Sequence, residues 1–436
     1  MYSDKPSRPI WPARGLAGFA CSALLATAAP SQPVSQDAPL ELPTVLQRVV
    51  QSHPRLSAGH AELTARRSEA IQAGLWDNPS AGAEIEDFGG DRSNIGDGDL
   101  TVSLRQIIPL GGDRRRARRA AEAWADVGAA QLDAETAGLL SEVATAFVDA
   151  RAAQEIARLR AELRDLAETA AGAIRQRVRA GRASPIDLDR ADILAVTAGM
   201  DAASALTEAR RAGLALAAAW GGTQAEALSQ PPVLLTRPHA ERSTPDGMMR
   251  HNLDLAVARQ ISRARGEEIA RERAAAIPDI TVGAGIRRYG GGNETAYLAT
   301  VEMPIPVIDR NRARISAAAA RETGARLEEE ALRRQLLARH AAAIRGWNDA
   351  WQRDAALSER VLPAAQNAYA RASLAYREGA LQLLDLLDVQ RTYFDTRIQA
   401  IEARAELARA AIELDVLYGA PRLGQLAAVT GPGADQ

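Results

Sequence analysis

The chain contains 436 residues, of which 47% are hydrophobic and only 4% are aromatic, and this composition favours long helices over a large aromatic core. Its formal net charge of -2 at pH 7 gives no bulk electrostatic reason to expect a nucleic-acid partner. Cys21 is the single cysteine, which excludes an intrachain disulfide and a thiolate metal site.

The N-terminal segment has the features of a secretory signal peptide. Basic residues precede an apolar stretch at 15–29, and the triplet Ala-Thr-Ala at 26–28 offers a small-residue cleavage site. We therefore predict a signal peptide at 1–28. Lipidation at Cys21 is the alternative, although the triplet before this cysteine lacks the expected leucine. No other segment approaches the roughly 20 apolar residues of a membrane-spanning helix.

One long sequence pattern occurs twice, and the second copy is offset from the first by about 198 residues. Four anchors support the duplication: Pro79 with Pro278, Ile-Pro at 108–109 with Ile-Pro at 305–306, Gly181 with Gly379, and Trp-Gly at 220–221 with Tyr-Gly at 418–419. We predict two repeats at 29–221 and 246–419, a proline-containing linker at 222–245, and a C-terminal tail at 420–436.

Each repeat is predicted to contain a helix, a strand hairpin, a very long helix and a further long helix, in that order. The predicted ranges are 42–75, 80–108, 113–180 and 185–220 in the first repeat, and 246–275, 279–304, 310–378 and 380–418 in the second. A helix at 113–180 would be about 100 Å long at about 1.5 Å per residue. We expect the helices at 185–220 and 246–275 to stack end to end beside it.

Both predicted hairpins alternate between apolar and polar residues, as strands with one apolar face do. Strands of about ten residues have the length that crosses a bilayer at a tilt, although surface hairpins of soluble proteins alternate in the same way. Four strands are too few to close a membrane barrel, whereas three chains would supply twelve. The polar face would then line a lumen with Glu84, Glu86, Arg105 and Arg287.

The signal peptide, the duplication, the two hairpins and the two very long helices together resemble the outer-membrane factor family of TolC-like efflux channels. Two motifs resemble its heavy-metal efflux (CzcC-like) branch: Ser-His-Pro-Arg-Leu at 52–56 and Gln-Ile-Ile-Pro-Leu-Gly-Gly-Asp-Arg at 106–114. The resemblance implies a mainly α fold with a small β part, in which duplicated helical hairpins form a periplasmic α-barrel. Four strands per subunit would complete a twelve-strand trimeric β-barrel in the outer membrane of a Gram-negative bacterium.

The resemblance also implies partners and positions of contact. A homotrimer would meet outer-membrane lipid at one end, and a periplasmic adaptor and an inner-membrane RND-type pump at the other. The adaptor would contact the glycine-centred turns, at Arg179, Ala180, Gly181 and Arg182 and at Glu378, Gly379 and Ala380. The family's gate motif matches Asp385 and Asp388, whose i,i+3 spacing puts both carboxylates on one face of a helix.

Other classes of protein receive less support from the sequence. The five histidines are scattered, and neither a phosphate loop nor a nucleophile elbow is present, so we expect no enzyme and no bound cofactor or metal. Within the channel family, a multidrug or type I secretion duct is the alternative to a heavy-metal duct. A soluble periplasmic coiled-coil or adaptor protein is the further alternative, but the duplication and the alternating strands disfavour it.

Overall fold

A computed structural model of the protein describes residues 40–88, 98–221, 244–290 and 294–428. The first repeat contains α1 (Leu42–Ser52), α2 (Pro54–Gln72), β1 (Ser80–Glu86), β2 (Asp99–Ile108), α3 (Asp113–Arg179) and α4 (Pro185–Trp220). The second contains α5 (Pro245–His251), α6 (Leu253–Ala274), β3 (Ile280–Arg288), β4 (Thr295–Glu302), α7 (Arg312–Ala356), a π-helical segment (Leu357–Val361), α8 (Leu362–Arg377), α9 (Leu383–Leu417) and α10 (Pro421–Ala428). The predicted signal peptide, Cys21 and the linker up to residue 243 lie outside the described residues.

The predicted helix at 42–75 proves to be two helices. His53 adopts an extended conformation (φ -70°, ψ 127°) because Pro54 disfavours a helical residue before it. The ring nitrogen Nδ1 of His53 then accepts a hydrogen bond from the backbone N–H of Arg55 at 3.2 Å, so this histidine caps α2.

The predicted helix at 246–275 is broken in the same way, at Asn252, which follows His53 by 199 residues, the offset that also separates Pro278 from Pro79. Asn252 is extended, and its side-chain oxygen caps α6 by accepting a hydrogen bond from the backbone N–H of Leu255 at 2.9 Å. Its amide nitrogen donates to the carbonyl of Leu417 at 3.1 Å. The break is therefore a feature of the duplicated unit.

The two longest helical stretches differ from each other. α3 runs for 67 residues without interruption. The predicted helix at 310–378 contains the π-helical segment Leu357–Val361, followed by Pro363 in the first turn of α8. A proline lacks the N–H that an internal helical turn requires, and a π segment is one way in which a helix accommodates such a loss.

The predicted C-terminal tail at 420–436 begins with a packed helix, so the prediction is wrong for residues 421–428, and residues 429–436 lie outside the described part of the chain. In α10 the side chain of Leu423 is fully buried and belongs to the same core cluster as α1. The carboxylate of Asp415 accepts hydrogen bonds from the backbone N–H groups of Arg422 and Leu423, which lie at the start of α10. The capping acid comes from α9, and so a local sequence pattern does not show it.

The four strands form one antiparallel sheet in the order β1-β2-β3-β4, in which the hairpins of the two repeats pair through β2 and β3. The register places Val102 opposite Ile286 and Thr101 opposite Arg287. Consequently the apolar sides of both hairpins form one continuous face. Its large side chains are 40% exposed or more: Ile85, Leu100, Val102, Leu104, Ile286, Tyr297 and Val301.

The shorter helices flank α3, as predicted: α4 and α6 both pack along it. α9 lies against both α3 and α7 and joins the two repeats. The main core lies where α1, α3, α9 and α10 meet, and Phe147 is its largest fully buried side chain. No helix in the described ranges is both long enough and apolar enough to cross a membrane.

Candidate functional site

The two turns between the long helices are built alike. In the first, Gly181 has φ 69°, its N–H donates to the carbonyl of Val178 at 2.9 Å, and the N–H of Arg182 donates to that of Arg177 at 2.8 Å. These bonds form a Schellman motif, which glycine favours because it adopts positive φ without strain. Gly379 (φ 78°) makes the corresponding bonds in the second turn.

All seven residues predicted to contact an adaptor are exposed at these turns. The two turns lie at the far ends of their long helices from the sheet, since β2 leads directly into α3 and β4 leads into α7. The sheet and the paired turns therefore occupy opposite ends of the subunit.

The helices that follow the two turns begin differently. At the start of α4, the Ser184 hydroxyl accepts a hydrogen bond from the N–H of Ile186 at 3.2 Å, and the Asp187 carboxylate accepts one from the N–H of Ser184 at 3.4 Å. This is a capping box. At the start of α9, the cap residue Gln382 makes no side-chain cap, so the carboxylate of Asp385 is not used in this way.

The predicted gate residues Asp385 and Asp388 lie in the first two turns of α9, and both are exposed. Neither carboxylate makes an ion pair within the described part of the chain. The structure therefore brings together two free carboxylates one helical turn apart. Asp187 corresponds to Asp385 and serves as a cap, whereas Arg190 corresponds to Asp388, so the first repeat has no equivalent acidic pair.

The structure places all four predicted lumen residues on the same face of the sheet, opposite the apolar face. The Arg287 guanidinium donates to Glu86 at 2.5 Å and to the hydroxyl of Thr101 at 2.9 Å. Arg105 lies between strand neighbours Ser80 and Gly283 on this face. The face therefore carries charges of both signs.

The described residues contain no cluster of three or more histidine, cysteine, aspartate or glutamate side chains that could hold a metal ion. His340 is buried and shares a hydrogen bond of 2.8 Å with the hydroxyl of Tyr418. Burial lowers the pKa of His340 and raises the pKa of Tyr418 to about 12. This pair joins α7 to the end of α9 and has a structural role.

A series of ion pairs along α9 was not predicted from the sequence. Arg397 and Arg409 pair with Glu162 and Asp149 of α3, and Asp395 pairs with Arg160 of α3. Three further pairs join α9 to α7: Glu413 with Arg339, Glu406 with Arg353, and Arg404 with Asp354. The partners are far apart in the sequence, so no local pattern relates them.

Two long helical hairpins with exposed glycine turns, and a four-stranded sheet at the other end, define the subunit of a TolC-like channel. The sequence profile of the outer membrane efflux protein family matches residues 45–222 and 245–420. The chain therefore belongs to the outer membrane efflux protein family. It is a passive channel subunit of the outer membrane with a long periplasmic helical part, and it is not an enzyme.

Two relatives and one solved structure illustrate the similarity. The cobalt-zinc-cadmium resistance protein CzcC of Cupriavidus metallidurans is 28% identical over 388 residues, which are 87% of this chain and 90% of CzcC. The nickel-cobalt-cadmium resistance protein NccC of Alcaligenes xylosoxydans is 28% identical over 68% of this chain and 70% of NccC. The channel CusC superposes with a TM-score of 0.72 at 17% identity, covering 88% of this chain and 95% of CusC.

Proposed function

We propose that this protein is the outer-membrane duct of a tripartite efflux system that exports heavy-metal cations. We infer the substrate class from the similarity to the cobalt-zinc-cadmium resistance protein, which extends over 87% of this chain. An inner-membrane pump of the RND type would supply the energy. A periplasmic adaptor would join that pump to the duct.

The sheet supports assembly into a homotrimer. Among the described strands, β1 and β4 each pair on one side only, so both edges of the sheet carry unpaired backbone groups. Pairing β4 of one chain with β1 of the next in three copies would remove both edges and close a twelve-stranded barrel. Its apolar face would meet lipid, and Glu84, Glu86, Arg105 and Arg287 would line the lumen.

The other end of the subunit is suited to the adaptor and the gate. The exposed turns at 179–182 and 378–380 would meet the adaptor. Asp385 and Asp388, repeated by threefold symmetry, would form two stacked rings of three carboxylates. Such rings attract cations and repel anions.

The gate is tested by replacing both acids, Asp385→Ala with Asp388→Ala, and recording single channels in planar bilayers. We expect weaker block by divalent cations and a higher conductance of the closed tip. The control is Asp189→Ala, which removes an exposed acid near the start of α4 that makes no ion pair in the described structure. Block that persists unchanged in the first variant would contradict the assignment.

The substrate class is tested by growth. A strain that lacks this protein is compared with its parent and with the complemented strain on cobalt, zinc, cadmium, nickel and several hydrophobic antibiotics. Sensitivity restricted to the metals, and reversed by complementation, is the expected result. Sensitivity restricted to the antibiotics would reject the metal assignment and indicate a multidrug duct.

A further inference from the structure

We propose that a cavity next to Asp388 binds an amphipathic zwitterion, such as an apolar dipeptide, and that the bound molecule ties the start of α9 to the first repeat. The cavity lies between α3, α4 and α9 and has a volume of about 420 Å³, which is within the range of small-molecule sites. Its walls are largely apolar and include Leu163, Leu194, Leu384 and Leu387.

One buried polar group in the cavity wall has no partner. Gln390 is only 4% exposed, and its amide nitrogen Nε2 donates no hydrogen bond to any of the residues described. Buried amide groups are nearly always hydrogen-bonded, because an unpaired donor loses its hydration without compensation. A ligand with a carbonyl or carboxylate oxygen would supply the missing acceptor.

The duplication shows why this donor is unpaired. Gln390 corresponds to Asp192 of the first repeat, where the carboxylate accepts a hydrogen bond of 2.7 Å from Arg175 of α3. The residue that corresponds to Arg175 is Ser373, which is too short to replace the guanidinium. The second repeat therefore has no corresponding ion pair between its two long helices, and a buried amide stands at that position.

Two opposite charges complete the chemistry of the cavity. Arg190 and Asp388 both line it, and neither makes an ion pair in the described ranges. The other arginines of the wall are engaged, because Arg160 pairs with Asp201 and Asp395, and Arg391 pairs with Asp395. The free groups are therefore one cation, one anion and one amide donor. A molecule with a carboxylate, an ammonium group and an apolar body matches all three.

The position of the cavity indicates what binding would do. Cross-helix ion pairs hold α9 to α3 and α7 from Asp395 to Glu413, but none involves its first two turns, 383–390, in the described structure. These turns carry the predicted gate acids. A ligand between Arg190 of α4 and Gln390 of α9 would supply a tie at this level.

Binding is tested by calorimetric titration of leucyl-phenylalanine into the full-length protein in lipid nanodiscs, with empty nanodiscs as reference. We expect saturable binding of one molecule per chain. The N-acetylated and the C-amidated dipeptides should each bind about tenfold more weakly, because each loses one charge-assisted contact. Arg190→Gln should abolish the preference for a free carboxylate, and Asp388→Asn should abolish the preference for a free amine.

Three further variants separate this site from non-specific binding. Ala198→Phe fills the cavity and should abolish binding, and Gln390→Leu should weaken binding of all forms of the dipeptide about tenfold. Arg211→Gln removes an exposed charge elsewhere on α4 and should leave the affinity unchanged. Absence of saturable binding, or undiminished binding to Ala198→Phe, would overturn the proposal.

The effect of the bound dipeptide on the start of α9 is measured by hydrogen exchange. The bound dipeptide should slow amide exchange in peptides that cover 383–394, while exchange at the turn 179–182 should not change. Saturable binding without protection of 383–394 would refute the tie. The measurement is independent of the exported substrate, so its failure would leave the metal assignment standing.

Discussion

The exposed apolar face of the sheet gives the sharpest test of membrane insertion, because neighbouring residues of β2 point to opposite sides. Val102 is 52% exposed on the apolar face, and Ser103 lies next to it on the polar face. The strand neighbours of Ser103 are Gly82 and Gly285, so a long side chain has room there. Val102→Arg and Ser103→Arg therefore introduce the same charge one residue apart, on different faces.

The expected penalties differ strongly. An arginine on the lipid face of a membrane barrel costs about 2–4 kcal/mol near the bilayer midplane, whereas lumen positions tolerate charge. Three symmetric copies would raise the cost of Val102→Arg to about 6–12 kcal/mol per trimer, comparable with the whole stability of an ordinary domain.

The assay is the amount of assembled oligomer in the outer-membrane fraction, measured by semi-native electrophoresis. We expect Val102→Arg to be lost from this fraction and to be degraded, and Ser103→Arg to assemble as the parent does. Equal assembly of the two variants would show that the face of Val102 does not contact lipid. Loss of only Ser103→Arg would show that the two faces have been assigned the wrong way round.

Three predictions concern stability and are checked by thermal unfolding of the purified protein. Tyr418→Phe leaves buried His340 without its partner and should lower the free energy of unfolding by about 1–3 kcal/mol. In the parent, the free energy of unfolding should decrease below about pH 6.5, because the unfolded chain binds the histidine proton more readily than the folded chain does. It should also decrease above about pH 10, because only the tyrosine of the unfolded chain ionises there. A melting temperature that does not change with pH in both windows would contradict this reasoning. Phe147→Ala should cost about 3–5 kcal/mol, because the side chain is fully buried in the main core. Ser184→Ala should cost about 1 kcal/mol, whereas Gln382→Ala at the corresponding uncapped position should have little effect; equal effects would show that the capping box contributes nothing.

The sequence predicted the elements that depend on local patterns. Alternation over 80–108 and 279–304 was sufficient for the strands, and the glycines at 181 and 379 were sufficient for the turns, because both signals come from backbone geometry. The hairpin pairing between Val102 and Ile286 joins residues about 180 positions apart and has no local signal. The helix α10 was missed for the same reason, because the residue that caps it, Asp415, belongs to α9.

Breaks within helices were also missed, although Pro54 and Pro363 are local signals for two of them. Pro54 marks a probable helix end at the residue before it, but the apolar periodicity continues on both sides and favours one helix. Asn252 is a residue type that favours the N-cap position, and it caps α6 through the backbone N–H of Leu255. Its amide nitrogen also donates a buried hydrogen bond to the carbonyl of Leu417, and this tertiary contact has no local signal.

The differences between the repeats predict which part of the subunit moves. The first repeat has an uninterrupted α3, a capping box at Ser184 and the ion pair between Arg175 and Asp192. At the corresponding positions the second repeat has the π segment Leu357–Val361, an uncapped α9 and the unpaired Gln390. Two of these differences, the missing cap and the unpaired Gln390, lie close to the predicted gate acids Asp385 and Asp388. We therefore expect opening to move the start of α9 against a first repeat that stays in place. A pair of spin labels across α9 and α4 should report this movement, whereas a pair across α3 and α4 should not.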